Sequence, residues 1–202
     1  GWIQGINAWP MVRASLSAPI FIEATLTTLC IGLLAGAVHF FLFLAVAYLS
    51  PQDRFNRFLS GYLAPSPTIT GFGLALLPLE GDLWNLLRLV LALTLISFPL
   101  LYRWLCHSSF LALRGQVQLA RSLGASWSMV FFEVVVPQAA PLVFRASGLG
   151  GLWAAGDFAI SGLVMGDRQT LPLMIESPLN NYQLAAALWM LWPLAGMALL
   201  IY

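Results

Sequence analysis

The sequence predicts an all-α membrane protein: a bundle of apolar helices carrying one polar helical protrusion. Three observations predict it. The chain is 60% hydrophobic and only 8% charged, with a mean hydropathy of +0.85, whereas a soluble domain carries roughly a quarter charged residues. Four apolar runs reach the ~20 residues that a helix needs to cross the ~30 Å hydrocarbon layer. The basic residues, all nine of them Arg, fall unevenly between the loops.

Residues 1–19 read as a lead-in segment and 20–202 as one transmembrane domain. The expected spans are 22–49, 83–105, 139–164 and 184–202. A further apolar stretch, 58–79, carries Pro65, Pro67, Gly71, Gly73 and Pro78. Irregular backbone at membrane depth survives where it is buried in protein or lines a cavity, so this stretch reads as a broken helix beside a pathway. Both ends look cut: the first residue is Gly1 with no signal-peptide pattern, and Leu199-Leu200-Ile201-Tyr202 ends inside an apolar run.

Arg placement sets the expected orientation. Arg54 and Arg57 follow the first span, Arg103, Arg114 and Arg121 lie in or beside the long loop, and Arg145 sits early in the next span. The opposite loops hold Glu80, Asp82, Asp167, Arg168 and Glu176. Positive residues mark the cytoplasmic side, so loops 50–57 and 106–138 are expected there. Trp84 and Trp104 bracket one span as interfacial anchors would.

The long loop is the most informative stretch. Residues 111–123 have helical apolar spacing through Leu113, Val117 and Ala120. They predict a helix outside the hydrocarbon, roughly parallel to the membrane, with that side packed on the bundle. Gly124 then lets the chain break, a second short helix follows, and Pro137 leads into the next span. Gln116, Gln118, Arg121 and Trp127 are the groups left for solvent or a partner's pocket.

This loop resembles the motif of ABC-importer permeases: Glu-Ala-Ala, three residues, Gly, nine residues, Ile-x-Leu-Pro. Gln118-Leu119-Ala120 stands at the triplet, Gly124 at the glycine, Val134 at the isoleucine and Val136-Pro137 at the end. Gln118 replaces the acid and Leu119 the first alanine. The resemblance implies the helical bundle of those permeases, with the loop as the coupling helix that docks on a cytoplasmic ATPase. Gln118, Leu119, Ala120, Arg121, Gly124, Ala125 and Pro137 would form that surface. Such permeases need two loops and this chain has one, so a second half is expected from the same chain or a second copy.

The order of features from Phe98-Pro99-Leu100 through Gly156-Asp157-Phe158, Thr170-Leu171-Pro172 and Asn181-Tyr182 is similar to the second half of thiamine-importer permeases. It is more loosely similar to ferric-iron permeases, and polyamine permeases remain an alternative. The resemblance implies a cytoplasmic ABC ATPase dimer, a periplasmic solute-binding protein docking near residues 80–82 and 167–178, and a bacterial inner membrane. It implies no cofactor.

Single residues carry competing readings. Asp157 is an ionisable residue inside a span, which defaults to a functional hypothesis; by helical rise it stands at the depth of Arg88. A structural ion pair, a solute contact and interfacial snorkelling are its three readings, the pair being preferred. Gly32 and Gly36, and Ser147, Gly148, Gly150 and Gly151, read as close-packing faces, with a hinge in the span as the alternative for the second group. His39, among Phe40, Phe41 and Phe43, reads as a hydrogen-bonded core histidine. Cys30 and Cys106 read as small core residues, neither disulfide nor metal ligands.

Other classes fit less well. A net charge of +1 with no basic cluster gives no nucleic-acid surface. Ala146-Ser147-Gly148 faintly resembles an intramembrane serine protease, but only His39 and His107 could serve as base, and no nucleotide-binding or metalloprotease motif is present. The expectation is a transport subunit without catalysis of its own. A non-catalytic subunit of some other complex is the remaining alternative.

Overall fold

The computed structural model describes residues 18–49, 66–78, 81–165, 169–181 and 184–201, and these are helical throughout apart from short turns. In chain order the helices are α1 Pro19–Leu49, α2 Pro67–Ala75, α3 Asp82–Leu101, α4 His107–Ser122, α5 Trp127–Val130, α6 Val136–Gly156, α7 Ala159–Val164, α8 Leu171–Asn180 and α9 Leu184–Ile201. Arg54, Arg57, Glu80, Asp167, the segments 1–17 and 58–65, and the chain end at Tyr202 lie outside the described residues.

Three helices are long and apolar enough to cross a membrane: Pro19–Leu49, Asp82–Ser122 and Trp127–Gly156, with a shorter apolar helix at Ala186–Ile201. The second of these joins the expected span 83–105 to the loop helix expected over 111–123. α3 runs without interruption through a π-helical turn, Tyr102–Cys106, into α4. Pro99 lies inside α3 just before that turn, and the His107 amide bonds back to the Tyr102 carbonyl, closing a wide turn in place of a break. The loop helix is thus the extension of the span. At 1.5 Å per residue the 41 residues reach about 61 Å, twice the ~30 Å hydrocarbon layer, so much of α4 must stand outside it.

The same holds on the return. α5 continues through a second π-helical turn, Phe131–Val135, into α6, so no separate short helix precedes the span. Pro137 therefore falls inside this continuous helix, directly after the π-helical turn. The expected span 139–164 is cut short: α6 ends at Gly156 and α7 starts afresh at Ala159. In the described part of stretch 58–79, Pro67 opens α2. Nine residues reach only about 14 Å, so α2 does not span. A Cβ on Gly71 would lie 3.1 Å from Leu163, which shows α2 resting on α7.

The bundle is built on the α1–α6 seam. A Cβ added to Gly151 would sit 2.5 Å from the Gly32 carbonyl oxygen, and one on Gly36 would sit 3.4 Å from that of Ser147. Backbones approach this closely only where side chains are absent, the usual device of membrane helix pairs. The packing reading of these small residues is therefore borne out. α9 brings Ile201 onto the same seam, its side chain filling the space a Cβ on Gly32 or Gly151 would need.

Apolar clusters stack along the bundle. One joins Phe43, Val46 and Ala47 to Tyr102, Phe110, Leu113, Val117, Val130 and Val135. A middle one joins Ile31 and Ala35 to Leu89–Ile96 positions and to Ile160 and Val164. A third joins Phe21 to α8 and α9 through Leu171, Ile175 and Met190. Between the first two, His39 is fully buried and tied twice: Nδ1 lies 2.7 Å from the Ala35 carbonyl oxygen and Nε2 lies 2.8 Å from Ser97 Oγ on α3. The ring occupies the space beside Gly150, where a Cβ would meet it at 2.7 Å. The reading of His39 as a hydrogen-bonded core residue holds. Cys106 is buried in the first cluster as expected, while Cys30 is exposed.

Candidate functional site

Two long continuous helices, Asp82–Ser122 ending in α4 and Trp127–Gly156 starting with α5, meet at the turn 123–126. Its geometry follows from four residues. Gly124 has φ +89°, a left-handed conformation that favours glycine. The Ala125 amide donates to the Ala120 carbonyl at 3.1 Å and the Gly124 amide to that of Arg121 at 3.1 Å. These are the two bonds of a Schellman helix end, with Gly124 at the left-handed position. Ala120 and Ala125, the residues such an end brings together, both pack against the first apolar cluster. Ser126 then starts α5: its Oγ accepts from the Met129 amide at 3.3 Å, a serine N-cap. One helix is closed and the next opened within four residues.

The faces of α4 divide as its spacing demands. Phe110, Leu113 and Val117 are buried and Ala120 is partly buried against the bundle, as expected. Gln116, Gln118, Leu119 and Arg121 face outward. Gln116 is joined to α6 by the Gln138 side-chain amide, which donates to its Oε1. Arg121 Nη1 donates to the Ala125 carbonyl at 3.3 Å, bracing the turn from outside. At the tip Leu123 is 80% exposed and Leu119 62%. Phe132 and Met129 are exposed on the other arm. Large apolar side chains are thus displayed beside a polar turn.

Trp127 corrects an expectation. It is partly buried and meets Tyr48 at the end of α1 edge-on, with ring centroids 5.3 Å apart. Tyr48 also meets Phe131 edge-on at 5.0 Å. Edge-to-face aromatic contacts of this kind are favourable. They fasten the hairpin to α1, so Trp127 braces the turn in place of waiting for a partner's pocket. Nothing in the sequence pattern joined Tyr48 to it. The serine cap was legible as Ser126 directly before a helix start.

Asp157 and Arg88 have separate partners. The Asp157 Oδ2 accepts from the amides of Ile160 at 2.9 Å and Ser161 at 3.1 Å, and the Ser161 hydroxyl donates to the Asp157 carbonyl at 2.9 Å. Asp157 thereby caps α7, which explains the break at Gly156. Arg88 is buried in α3; its Nη2 donates to the Leu77 carbonyl at 2.6 Å and its Nη1 to Asn85 Oδ1 at 3.2 Å. Those bonds tie the end of the α2 segment to α3. Depth arithmetic placed the two side chains at one level but could not see the helix break between them. Another interhelix bond carried no signal in sequence: the Leu171 amide at the start of α8 donates to Thr28 Oγ1 on α1 at 2.8 Å.

Among the described residues no group of three or more His, Cys, Asp or Glu side chains could hold a metal ion. Comparison with protein-family models and with curated proteins finds no match for this chain.

Proposed function

We propose that the chain is one permease half of an ATP-driven ABC importer and that the Gly124 turn is its ATPase-docking element. One observation carries the reading. The residues aligned with the permease motif, Gln118 to Pro137, comprise the hydrogen-bonded turn 123–126 and the facing ends of two helices too long for the membrane. A glycine-closed, serine-opened turn braced on α1 by Trp127 transmits displacement as a lever would, because both arms are continuous with spans. A loose loop would absorb the motion.

In this reading ATP binding draws two ATPase subunits together, the two turns follow, and the bundle shifts between inward- and outward-facing states. ATP drives this only by favouring one state over the other. The chain hydrolyses nothing itself. A periplasmic binding protein delivers solute at the end opposite the turn, in a bacterial inner membrane, and a second half completes the pathway. The order of motifs favours thiamine as the solute over ferric iron or polyamines. The test is purification of the tagged chain from its own membranes. A stoichiometric ABC-type ATPase should come with wild type and be lost from Ala125→Glu; an ATPase held equally by both proteins would refute the docking role.

A further inference from the structure

At the end of the bundle farthest from the Gly124 turn, α1 and α3 splay around a cleft of about 710 Å³. Sites for small organic molecules measure roughly 300–1,000 Å³. Glu23, Leu26, Thr27 and Cys30 line one wall at helical spacing, and Asp82 and Leu86 line the other. The floor is apolar, and no cationic side chain is among the described lining residues. Glu23 lies in the first turns of a 31-residue helix that holds no other Asp, Glu, Lys or Arg. A carboxylate there is costly in hydrocarbon and is kept only facing water or a cation.

We propose that this cleft is a water-accessible vestibule that takes an organic cation with an apolar body. The Glu23 carboxylate repels anions, and a small inorganic cation would leave the apolar walls unused. The proposal deepens the transport reading and rests on it for its purpose, though not for its chemistry.

Cys30 supplies the probe, since it lines the cleft and is exposed while Cys106, the other cysteine, is buried. In the full chain in lipid nanodiscs, the Cys30 thiolate attacks the sulfenyl sulfur of a methanethiosulfonate, forming a mixed disulfide. Methanesulfinate leaves, and the thiol proton has gone to water. The preference for the trimethylammonium-ethyl over the sulfonato-ethyl reagent should exceed that of a free thiol in solution by about tenfold at low ionic strength. Glu23→Gln should cut that ratio several-fold, and the exposed Glu23 side chain is not needed for packing. Millimolar benzyltrimethylammonium should slow labelling where sodium chloride at equal ionic strength does not, and Cys30→Ser should abolish it. A reagent ratio no higher than that of a free thiol, or failure of the organic cation to protect, would overturn the proposal. Absence of reaction in the native protein but not after denaturation would show a lipid-filled cleft and overturn it too. None of these readouts involves an ATPase. Loss of ATPase capture with selective labelling intact would therefore count against the importer reading alone.

Discussion

The Ala125 amide reaches back over Gly124 to the Ala120 carbonyl at 3.1 Å, and this bond shapes the whole protrusion. It closes α4 at a fixed angle and presents Leu123 at the outermost point of the turn. What conformation Gly124 adopts therefore decides how α4 and α5 meet.

Substitution at Gly124 separates conformation from bulk. No atom lies within 4 Å of a Cβ placed there, so space is open and the cost comes from φ +89° alone. A left-handed non-glycine residue costs about 1–2 kcal/mol. Gly124→Val should reduce uptake strongly and Gly124→Asn less, since asparagine tolerates this region. Both proteins should insert normally, as membrane fractionation would show. Equal uptake by the Val and Asn variants would remove the conformational argument.

The α1–α6 seam should be the least tolerant surface. Gly151→Ala places a methyl 2.5 Å from the Gly32 carbonyl oxygen, a backbone atom that cannot swing aside. Overpacking of this kind costs about 1–3 kcal/mol. Gly196→Ala in α9 meets nothing within 4 Å and should be neutral or slightly stabilising, because alanine favours helix by up to about 1 kcal/mol. Thermal unfolding in detergent measures both. A Gly151→Ala protein as stable as Gly196→Ala would mean the two helices are not in backbone contact.

His39 and Ser97 should behave as a coupled pair. Ser97→Ala leaves Nε2 without its partner in a buried site, which costs about 1–3 kcal/mol. His39→Leu removes the ring and both its bonds. The double variant should lose less stability than the two single losses added, a coupling that a double-mutant cycle reads directly. Strict additivity would show that the 2.8 Å contact contributes nothing.

Asp157 should tolerate amide but not alkyl replacement. Asn keeps an oxygen for the Ile160 and Ser161 amides, whereas Ala leaves them without it; losing an N-cap costs about 0.5–2 kcal/mol. Asp157→Asn should therefore express and unfold much as wild type, and Asp157→Ala should melt lower. If Asp157→Asn instead keeps its stability and loses cation uptake, the carboxylate touches solute as well as capping α7.

What sequence could reveal follows from which forces act locally. Apolar runs fix the long helices, because hydropathy over ~20 residues is a local sum. The buried face of α4 followed from spacing through Leu113 and Val117, and the turn from a glycine before a serine cap. Gly32, Gly36, Gly150 and Gly151 were legible as a seam since small residues at such spacing have little other use in a span. The break at Asp157 was not, because an aspartate capping a new helix and an aspartate facing a pathway look alike in an apolar run. Continuity through Tyr102–Cys106 and Phe131–Val135 was also hidden: π-helical turns absorb prolines that normally end helices. Tyr48 against Trp127 and Leu171 against Thr28 are long-range pairings that periodicity cannot supply.

The central claim is that the Gly124 turn docks on an ATPase. Photo-crosslinking from position 123 tests it most directly, with a benzophenone side chain replacing Leu123 in the full chain in its native membrane. The same group at Leu91, an exposed residue within α3, serves as the control. The account predicts an adduct with an ABC-type ATP-binding subunit from position 123, changed in yield by ATP, and none from position 91. An adduct with that subunit from both positions, or from neither while the ATPase remains in the membrane, would contradict it.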